Sequence, residues 1–164
     1  MLGEYGKALA DSGELTQAKD VLTRAYPEDR PDWTIMSVQG AVDDELGNHD
    51  GARKFYAEAL KIAPGEPFVL NNLGLSYALT KQLPQAEATL REAGASPRAD
   101  VRVRNNLALV LSLEGKYAQA EDVSRQDMSD EAARANVQAI RQMIASRGIA
   151  SVRRSSPQTA LASE

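Results

Sequence analysis

Apolar residues recur along most of this chain at spacings of three, four and seven positions, with polar residues between them. Leu70, Leu73 and Tyr77 follow this spacing, and a second stripe of the same kind begins at Leu83. Such spacing places apolar side chains on one face of an α-helix, so each stretch predicts an amphipathic helix. Helices this short are marginal alone in water, and we expect each pair to be stabilised by packing against its neighbours.

The pattern repeats with a period of 34 residues. Moving the segment 71–90 forward by 34 positions places it on the segment 105–124, and both begin with Asn-Asn-Leu. Steps in the other direction give four copies in one register. Small residues on the apolar faces let helix backbones approach closely, which predicts stacked helix pairs. An undifferentiated helical bundle with a chance repeat is the alternative. The aligned small positions are Gly6, Gly40 and Gly74, and Ala18, Ala52 and Ala86.

The periodicity divides the chain into an array and a tail. We expect one domain over residues 1–147, followed by a Ser-rich tail over 148–164 that lacks apolar periodicity. Because the first helix opens almost at residue 1, we also expect that an upstream segment, either further repeats or an export signal, is missing. Within the array the predicted units are four repeats, 1–32, 33–66, 67–100 and 101–127, and a cap helix, 129–147.

The residues that recur in the four copies resemble those of the tetratricopeptide repeat (TPR), a helical repeat with the same period. They include Leu73-Gly74-x-x-Tyr77 and the later Ala86, Leu90 and Ala93, and Pro64 ends a helix. The resemblance implies an all-α fold, a right-handed superhelical array of antiparallel helix pairs (a TPR solenoid) with a C-terminal capping helix.

Composition narrows the function classes. The net charge of −4 argues against a nucleic-acid binder, which needs a basic face to displace counterions. Residues 1–66 carry seven Lys and Arg against thirteen Asp and Glu, whereas 67–164 carry twelve against ten, so the array runs from acidic to mildly basic. No apolar run approaches the ~18 residues of a membrane span, and the chain has no Cys.

Candidate chemistry is sparse, so we predict no enzyme activity, no cofactor and no metal. The single His, His49, cannot build a triad or a His-based metal site without a thiol. The acidic residues 43–45 and 50 lack calcium-loop spacing and predict a solvated acidic face. Gln39 and Asp43 are polar where the next repeat is apolar, and we expect them either to bond to each other or to serve a partner.

The inner surface of stacked helix pairs is the predicted site, because the first helix of each repeat lines it. Leucines there offer apolar pockets, and asparagines donate to and accept from a peptide backbone. The alternative is that Asn72 and Asn106 serve only the repeat fold. From helical phase we also expect Thr34, Asp44 and Glu45 on this face. The predicted peptide-binding residues are Ser37, Ala41, Phe68, Asn71, Asn72, Leu75, Leu79, Arg102, Asn105, Asn106, Leu109 and Leu113.

A narrower resemblance spans nearly the whole chain up to about residue 145. Gln39-Gly40-Ala41, the segment 106–110 and the cap helix resemble the C-terminal repeat module of the TadD family of tight-adherence (Flp) pilus assembly proteins. This resemblance implies a non-enzymatic scaffold for pilus assembly and secretion at the bacterial envelope, on the periplasmic side, anchored through a missing lipidated segment. The alternative is a cytoplasmic TPR regulatory module of a larger enzyme or signalling complex. Self-association through the first helix is a third expectation.

Overall fold

The computed structural model describes the backbone of residues 2–25 and 31–155, and the side chains of 2–25 and 31–147. Over these ranges the chain is entirely helical, as predicted. Pro27, which predicts the end of the second helix, lies outside the described residues. In chain order the helices are α1 Leu2–Asp11, α2 Leu15–Ala25, α3 Trp33–Glu45, α4 His49–Ile62, α5 Pro67–Leu79, α6 Leu83–Gly94, α7 Val101–Leu113, α8 Tyr117–Ser124 and α9 Asp130–Ser155.

Short polar side chains define where the inner helices begin. The Asp32 carboxylate accepts from the backbone N–H of Thr34 at 2.8 Å, and the Asp100 carboxylate accepts from that of Arg102 at 3.0 Å. Each bond satisfies one of the N–H groups left free at a helix start. Thr34, which helical phase placed on the concave face, belongs to the cap at Asp32, to which its hydroxyl also donates at 2.6 Å.

The small residues of the repeat lie where paired helices touch. A Cβ added at Gly40 would lie 2.5 Å from the Tyr56 ring, and one added at Gly74 would lie 2.6 Å from Leu90 Cγ. The aligned alanines of the second helices are fully buried, as Ala86 shows. The packing register predicted from the sequence is therefore confirmed.

The order of contacts gives the array its curvature. The backbones of α1, α3, α5 and α7 each approach that of the next odd-numbered helix, whereas in the described part of the chain the backbones of α2, α4, α6 and α8 do not approach one another. Helices on the inner side of a curved stack lie closer together than helices on the outer side. The odd-numbered helices therefore line the concave face, as expected.

The C-terminal end of the array is closed by α9. Ser124 stands where the third repeat has Leu90, and α8 ends there after eight residues. Helix α9 packs against both α7 and α8 and buries Ala133 and Val137. It also continues through Gly148 to Ser155, whereas the sequence predicted its end at residue 147. One glycine weakens a helix interior only slightly, so Gly148 does not stop it. The predicted tail beyond 155 lies outside the described residues.

Candidate functional site

The concave face contains three hollows that differ in chemistry. The first, near the N-terminus, has a volume of about 160 Å³ and lies between α1, α3 and α5. Ser37 and Ala41 line it, but Ser37 is fully buried, and its contact with a ligand stays a prediction. Its small side chain lies under the neighbouring helix, where Asn72 reaches toward its hydroxyl at 3.4 Å. The hollow is lined by Ala10, Asp11, Ser37, Val38, Ala41, Val42, Glu45, Phe68 and Asn72.

The second hollow, of about 260 Å³, lies at the N-terminal ends of α5 and α7 and is polar. Its cations already have partners: Arg98 donates to Glu66 at 2.7 Å, and Arg102 donates to Asp100 at 2.8 Å. The guanidinium of Arg102 holds the pKa of the Asp100 carboxyl below its ordinary value. The hollow is lined by Glu66, Pro67, Phe68, Asn71, Asn72, Arg98, Asp100, Arg102 and Val103.

The asparagines at the middle of the face connect the inner helices. Asn106 Nδ2 donates to Asn71 Oδ1 at 2.8 Å, which joins α7 to α5, and Asn71 lies 3.4 Å from the amide oxygen of Asn72. Asn105, which precedes Asn106 on α7, is exposed. The structure therefore gives Asn71 and Asn106 a role in the fold, and contact of the asparagines with a ligand stays a prediction.

The third hollow is the largest, at about 630 Å³, and is predominantly apolar. Its walls come from α5, α7 and α9, and it contains all four of the predicted groove leucines. Leu79 is 62% exposed and Leu113 is 41% exposed. We call it the apolar hollow. It is lined by Leu75, Ala78, Leu79, Lys81, Leu109, Leu113, Met143, Ile144 and Arg147.

The cap helix forms one wall of the apolar hollow, which the sequence analysis missed. Met143, Ile144 and Arg147 face Leu79 and Leu113 across it. The sequence predicts only a closing role for α9, because packing on the array accounts for its apolar positions; Ala133 and Val137 are indeed buried. The signal in the sequence is Met143, a further apolar residue late in the helix, which is 41% exposed in the structure.

Lys81, at the edge of the apolar hollow, has a left-handed backbone conformation with φ 61°. The same turn position in the other three repeats is glycine: Gly13, Gly47 and Gly115, with φ between 77° and 81°. A residue with a Cβ pays about 1–2 kcal/mol in this conformation, whereas glycine adopts it freely. The third repeat therefore keeps a lysine where a glycine would relieve strain.

Asp44 was expected on the concave face but joins two repeats instead. Its carboxylate accepts from the Ser76 hydroxyl at 2.8 Å and from the Tyr56 hydroxyl at 3.1 Å, and His49 Nδ1 lies 2.8 Å away. Burial raises the pKa of the Tyr56 hydroxyl, and the negative charge of Asp44 adds to the shift. Tyr56 therefore stays protonated and keeps donating. Helical phase alone cannot show that the next repeat covers Asp44.

Asp43 is also buried, so the predicted solvated acidic face is wrong for both residues. Its carboxylate accepts from Lys19 Nζ at 2.6 Å and from Asn48 Nδ2 at 2.9 Å. The bond to Lys19 ties the first repeat to the second, and Gln39 is not the partner of Asp43. The expected bond between Gln39 and Asp43 is therefore wrong, and Asp43 is satisfied by structural bonds to Lys19 and Asn48 instead.

Among residues 2–25 and 31–155, no three His, Cys, Asp or Glu side chains lie close enough together to hold a metal ion. None of the described helices is long and apolar enough to cross a bilayer.

Comparison with known proteins identifies the repeat. Residues 40–66 match one model of the tetratricopeptide repeat, and residues 101–126 match a second. No curated protein matches the chain.

Solved structures share the whole architecture. MamA from Desulfovibrio magneticus RS-1 has 20% identity and a TM-score of 0.68, over 80% of this chain and 75% of that one. MamA of strain AMB-1 has 21% identity and a TM-score of 0.63, over 99% and 96% of the two chains. A TPR protein from Parabacteroides merdae has 23% identity and a TM-score of 0.68, over 97% of this chain and 66% of that one. At these identities the likeness shows the fold alone.

The predicted TPR solenoid is therefore confirmed. A fold of this kind is a scaffold for protein–protein interaction, and such scaffolds are generally not enzymes.

Proposed function

We propose that this chain is a non-enzymatic scaffold that binds a peptide segment or helix of a partner protein on its concave face. One observation carries the proposal: four leucines from two neighbouring inner helices line one hollow, and Leu79 and Leu113 remain largely exposed. Soluble proteins rarely leave a contiguous apolar surface open unless it binds something. The hollow also has the volume of a ligand-binding site.

The pilus assignment is the finer part of this proposal. Its support is the resemblance of Gln39-Gly40-Ala41, the segment 106–110 and the cap helix to the TadD family. In that setting the scaffold captures a segment of another assembly protein at the bacterial envelope. Deleting the gene is expected to abolish pili and adherence, and intact pili would reject the assignment while leaving the binding proposal in place.

A paired substitution tests the face itself. Leu75→Asp with Leu109→Asp places two carboxylates inside the apolar hollow, so we expect partners recovered from an envelope extract to fall at least tenfold. Desolvating each charge opposes binding by more than 1.4 kcal/mol, which is tenfold in affinity. Affinity capture followed by quantitative mass spectrometry measures the change.

The matched control is Ile62→Asp, because Ile62 is an exposed apolar residue at the end of the outer helix α4. We expect it to keep its partners. Equal recovery by the paired variant and the unaltered chain would exclude the concave face. In the same capture from a whole-cell extract, loss of cytoplasmic enzyme or signalling subunits, rather than envelope proteins, would favour the cytoplasmic regulatory module.

A further inference from the structure

The apolar hollow is a trough with three helical walls. Leu75 and Leu79 lie one turn apart on α5, Leu109 and Leu113 lie one turn apart on α7, and α9 contributes the third wall. Side chains at this spacing form ridges along a helix, and these ridges fit into the grooves of another helix that packs beside them. The shape of the apolar hollow therefore suits a fourth helix packed between its three walls.

The lining also discriminates between an extended peptide and a helix. No Asn, Gln, Ser or Thr is among the described residues that line the apolar hollow. An extended strand would bury backbone N–H and C=O groups there without side-chain amides or hydroxyls to receive them, which is costly. A helix satisfies its own backbone and presents only side chains, so it suits this lining.

The described residues do not compensate the charge at the edge of the apolar hollow. Lys81 and Arg147 line it, no Asp or Glu does, and neither cation forms an ion pair with another described residue. The polar hollow differs, because Arg98 and Arg102 are paired with Glu66 and Asp100. The edge of the apolar hollow is therefore ready to receive negative charge from outside the chain.

The backbone of Lys81 is a second observation that points to the same residue. Three repeats place glycine at this left-handed turn position, and the one repeat that keeps a strained lysine is the one whose turn borders the apolar hollow. Strain retained at one position indicates a function for the side chain there. An ammonium that pairs with a ligand supplies that function.

We propose that the apolar hollow binds an amphipathic helix of a partner protein, whose apolar face packs on the leucines and whose acidic residue pairs with Lys81 and Arg147. This inference rests on the proposed function, because it names the class of segment that the concave face takes. The partner is recognised by apolar residues one turn apart and a carboxylate beside them.

The probe is a fluorescein-labelled synthetic peptide of 18 residues with leucines along one helical face and glutamates beside them. Two companions keep the leucines but replace the glutamates by lysines, or insert a central proline that breaks the helix. Fluorescence anisotropy measures the dissociation constants. We expect the acidic helix to bind at least tenfold more tightly than either companion, and more weakly as salt rises. Equal binding of the three peptides would overturn the inference, as would no binding of the acidic helix.

Lys81→Gly separates this inference from a merely structural role. Removing the ammonium should weaken the acidic helix by about three- to tenfold, while relief of backbone strain should raise the melting temperature. Arg147→Gln should weaken binding similarly. Unchanged affinity in both variants would overturn the assigned role of the cations.

Controls test whether the effect is local. Lys54→Gln removes an exposed charge from outer helix α4 and should leave peptide affinity unchanged. Gly47→Lys puts a lysine at the matching turn of the second repeat, and it should lower the melting temperature without improving affinity. An equal loss of affinity with Lys54→Gln would mean that only overall charge matters, which would overturn the proposal.

Other occupants give different results. If the chain dimerises in sedimentation equilibrium and Leu79→Glu restores the monomer, a second copy occupies the apolar hollow and the helix proposal is wrong. If Leu75→Asp with Leu109→Asp leaves natural partners bound, the proposed function fails as a whole. If that paired variant loses its partners while the acidic and basic peptides bind alike, only the present inference fails.

Discussion

The two halves of the concave face have the same backbone and opposite chemistry. At one pair of repeat positions, the first and second repeats carry Lys7 with Asp11 and Ala41 with Glu45, whereas the third and fourth carry leucines at all four. The N-terminal hollow is accordingly small, about 160 Å³, and the C-terminal apolar hollow is about 630 Å³. Positions that face the groove are therefore free to differ between repeats, although the fold of the repeats is the same.

The packing positions show the opposite behaviour. Gly40 of the second repeat and Gly74 of the third each meet one large side chain of the paired helix, Tyr56 and Leu90. The fourth repeat changes both partners together, since Ala108 is aligned with the glycines and Ser124 with the large residues, and both are buried. A compensated pair keeps the close approach of the helices. The difference teaches that the repeat constrains what lies between helices and leaves the inner surface to function.

The junctions between repeats also differ. Asp44 links the second repeat to the third through the buried Ser76 hydroxyl, and Tyr56 of its own repeat also donates to it; the Asp44 side chain is 10% exposed. Glu87 links the third repeat to the fourth through Lys116 and also pairs with Arg91 on its own helix; the side chains of these two cations are 40% and 46% exposed. Buried hydrogen bonds are costly to leave unmade, whereas exposed ion pairs contribute little.

The largest effect is therefore expected from Asp44→Ala. This change leaves the buried hydroxyls of Tyr56 and Ser76 without their acceptor. At about 1–3 kcal/mol for each unpartnered group, we expect a loss of ~2–4 kcal/mol in the free energy of unfolding. Urea denaturation followed by circular dichroism measures it. Glu45→Ala, at the neighbouring exposed position, should change stability little. Similar losses in the two variants would contradict a special junction at Asp44.

Gly40→Ala should give the next largest effect. The added Cβ would meet the Tyr56 ring at 2.5 to 2.9 Å, and the hydroxyl of this ring is held by Asp44. Overpacking costs about 1–3 kcal/mol, and the ~1 kcal/mol that alanine gains as a helix former offsets only part of it. Thermal and urea unfolding measure the net loss. Gly74→Ala should cost less, because the Leu90 side chain has more freedom to move than the tethered ring.

Gly94→Ala is the matched control for both glycines. Gly94 is also helical, but the nearest atom to an added Cβ is Val103 Cγ1, at 4.0 Å. We expect this variant to be as stable as the unaltered chain or slightly more stable. A gain in stability for Gly40→Ala as well would show that the helix pairs in the two halves of the array do not depend on the same close approach at glycine.

The sequence predicted the fold well because packing in a repeat array depends on near neighbours. Gly6, Gly40 and Gly74 recur at one period, and each period needs the same close approach, so the alignment alone locates the helix pairs. The leucines of the groove were also found, since the helical phase of α5 and α7 places them together.

Other features depend on contacts that have no period. The burial of Ser37 and Asp44 comes from the helix of the next repeat, which a single helical wheel does not include. The wall formed by Met143 and Arg147 depends on how α9 crosses α7, and α9 has no counterpart in the repeats. Lys81 was visible as a departure from the glycine of the other turns, but only its φ of 61° shows that the departure is strained.

The smallest effect, and the one that tests the contrast between junctions, is expected from Glu87→Gln. Lys116 donates to the Glu87 carboxylate at 2.5 Å and Arg91 at 2.7 Å, and these bonds lower the pKa of Glu87 from 4.5 to about 2. A carboxyl with a lowered pKa stabilises the fold fully above pH 4.5, and loses this contribution as the pH falls through about 2.

We therefore expect the melting temperature of Glu87→Gln to be slightly lower than that of the unaltered chain at pH 7. The difference from the unaltered chain should shrink steadily below pH 4.5. Because the two cations are exposed, added salt should also reduce the difference in melting temperature.

The control is Glu92→Gln. Glu92 is exposed on the same helix and forms no ion pair with another described residue, so this variant should keep the melting temperature of the unaltered chain. A difference that persists unchanged to pH 3 would mean that the junction does not depend on the charge of Glu87, and the two junctions would then be alike in kind.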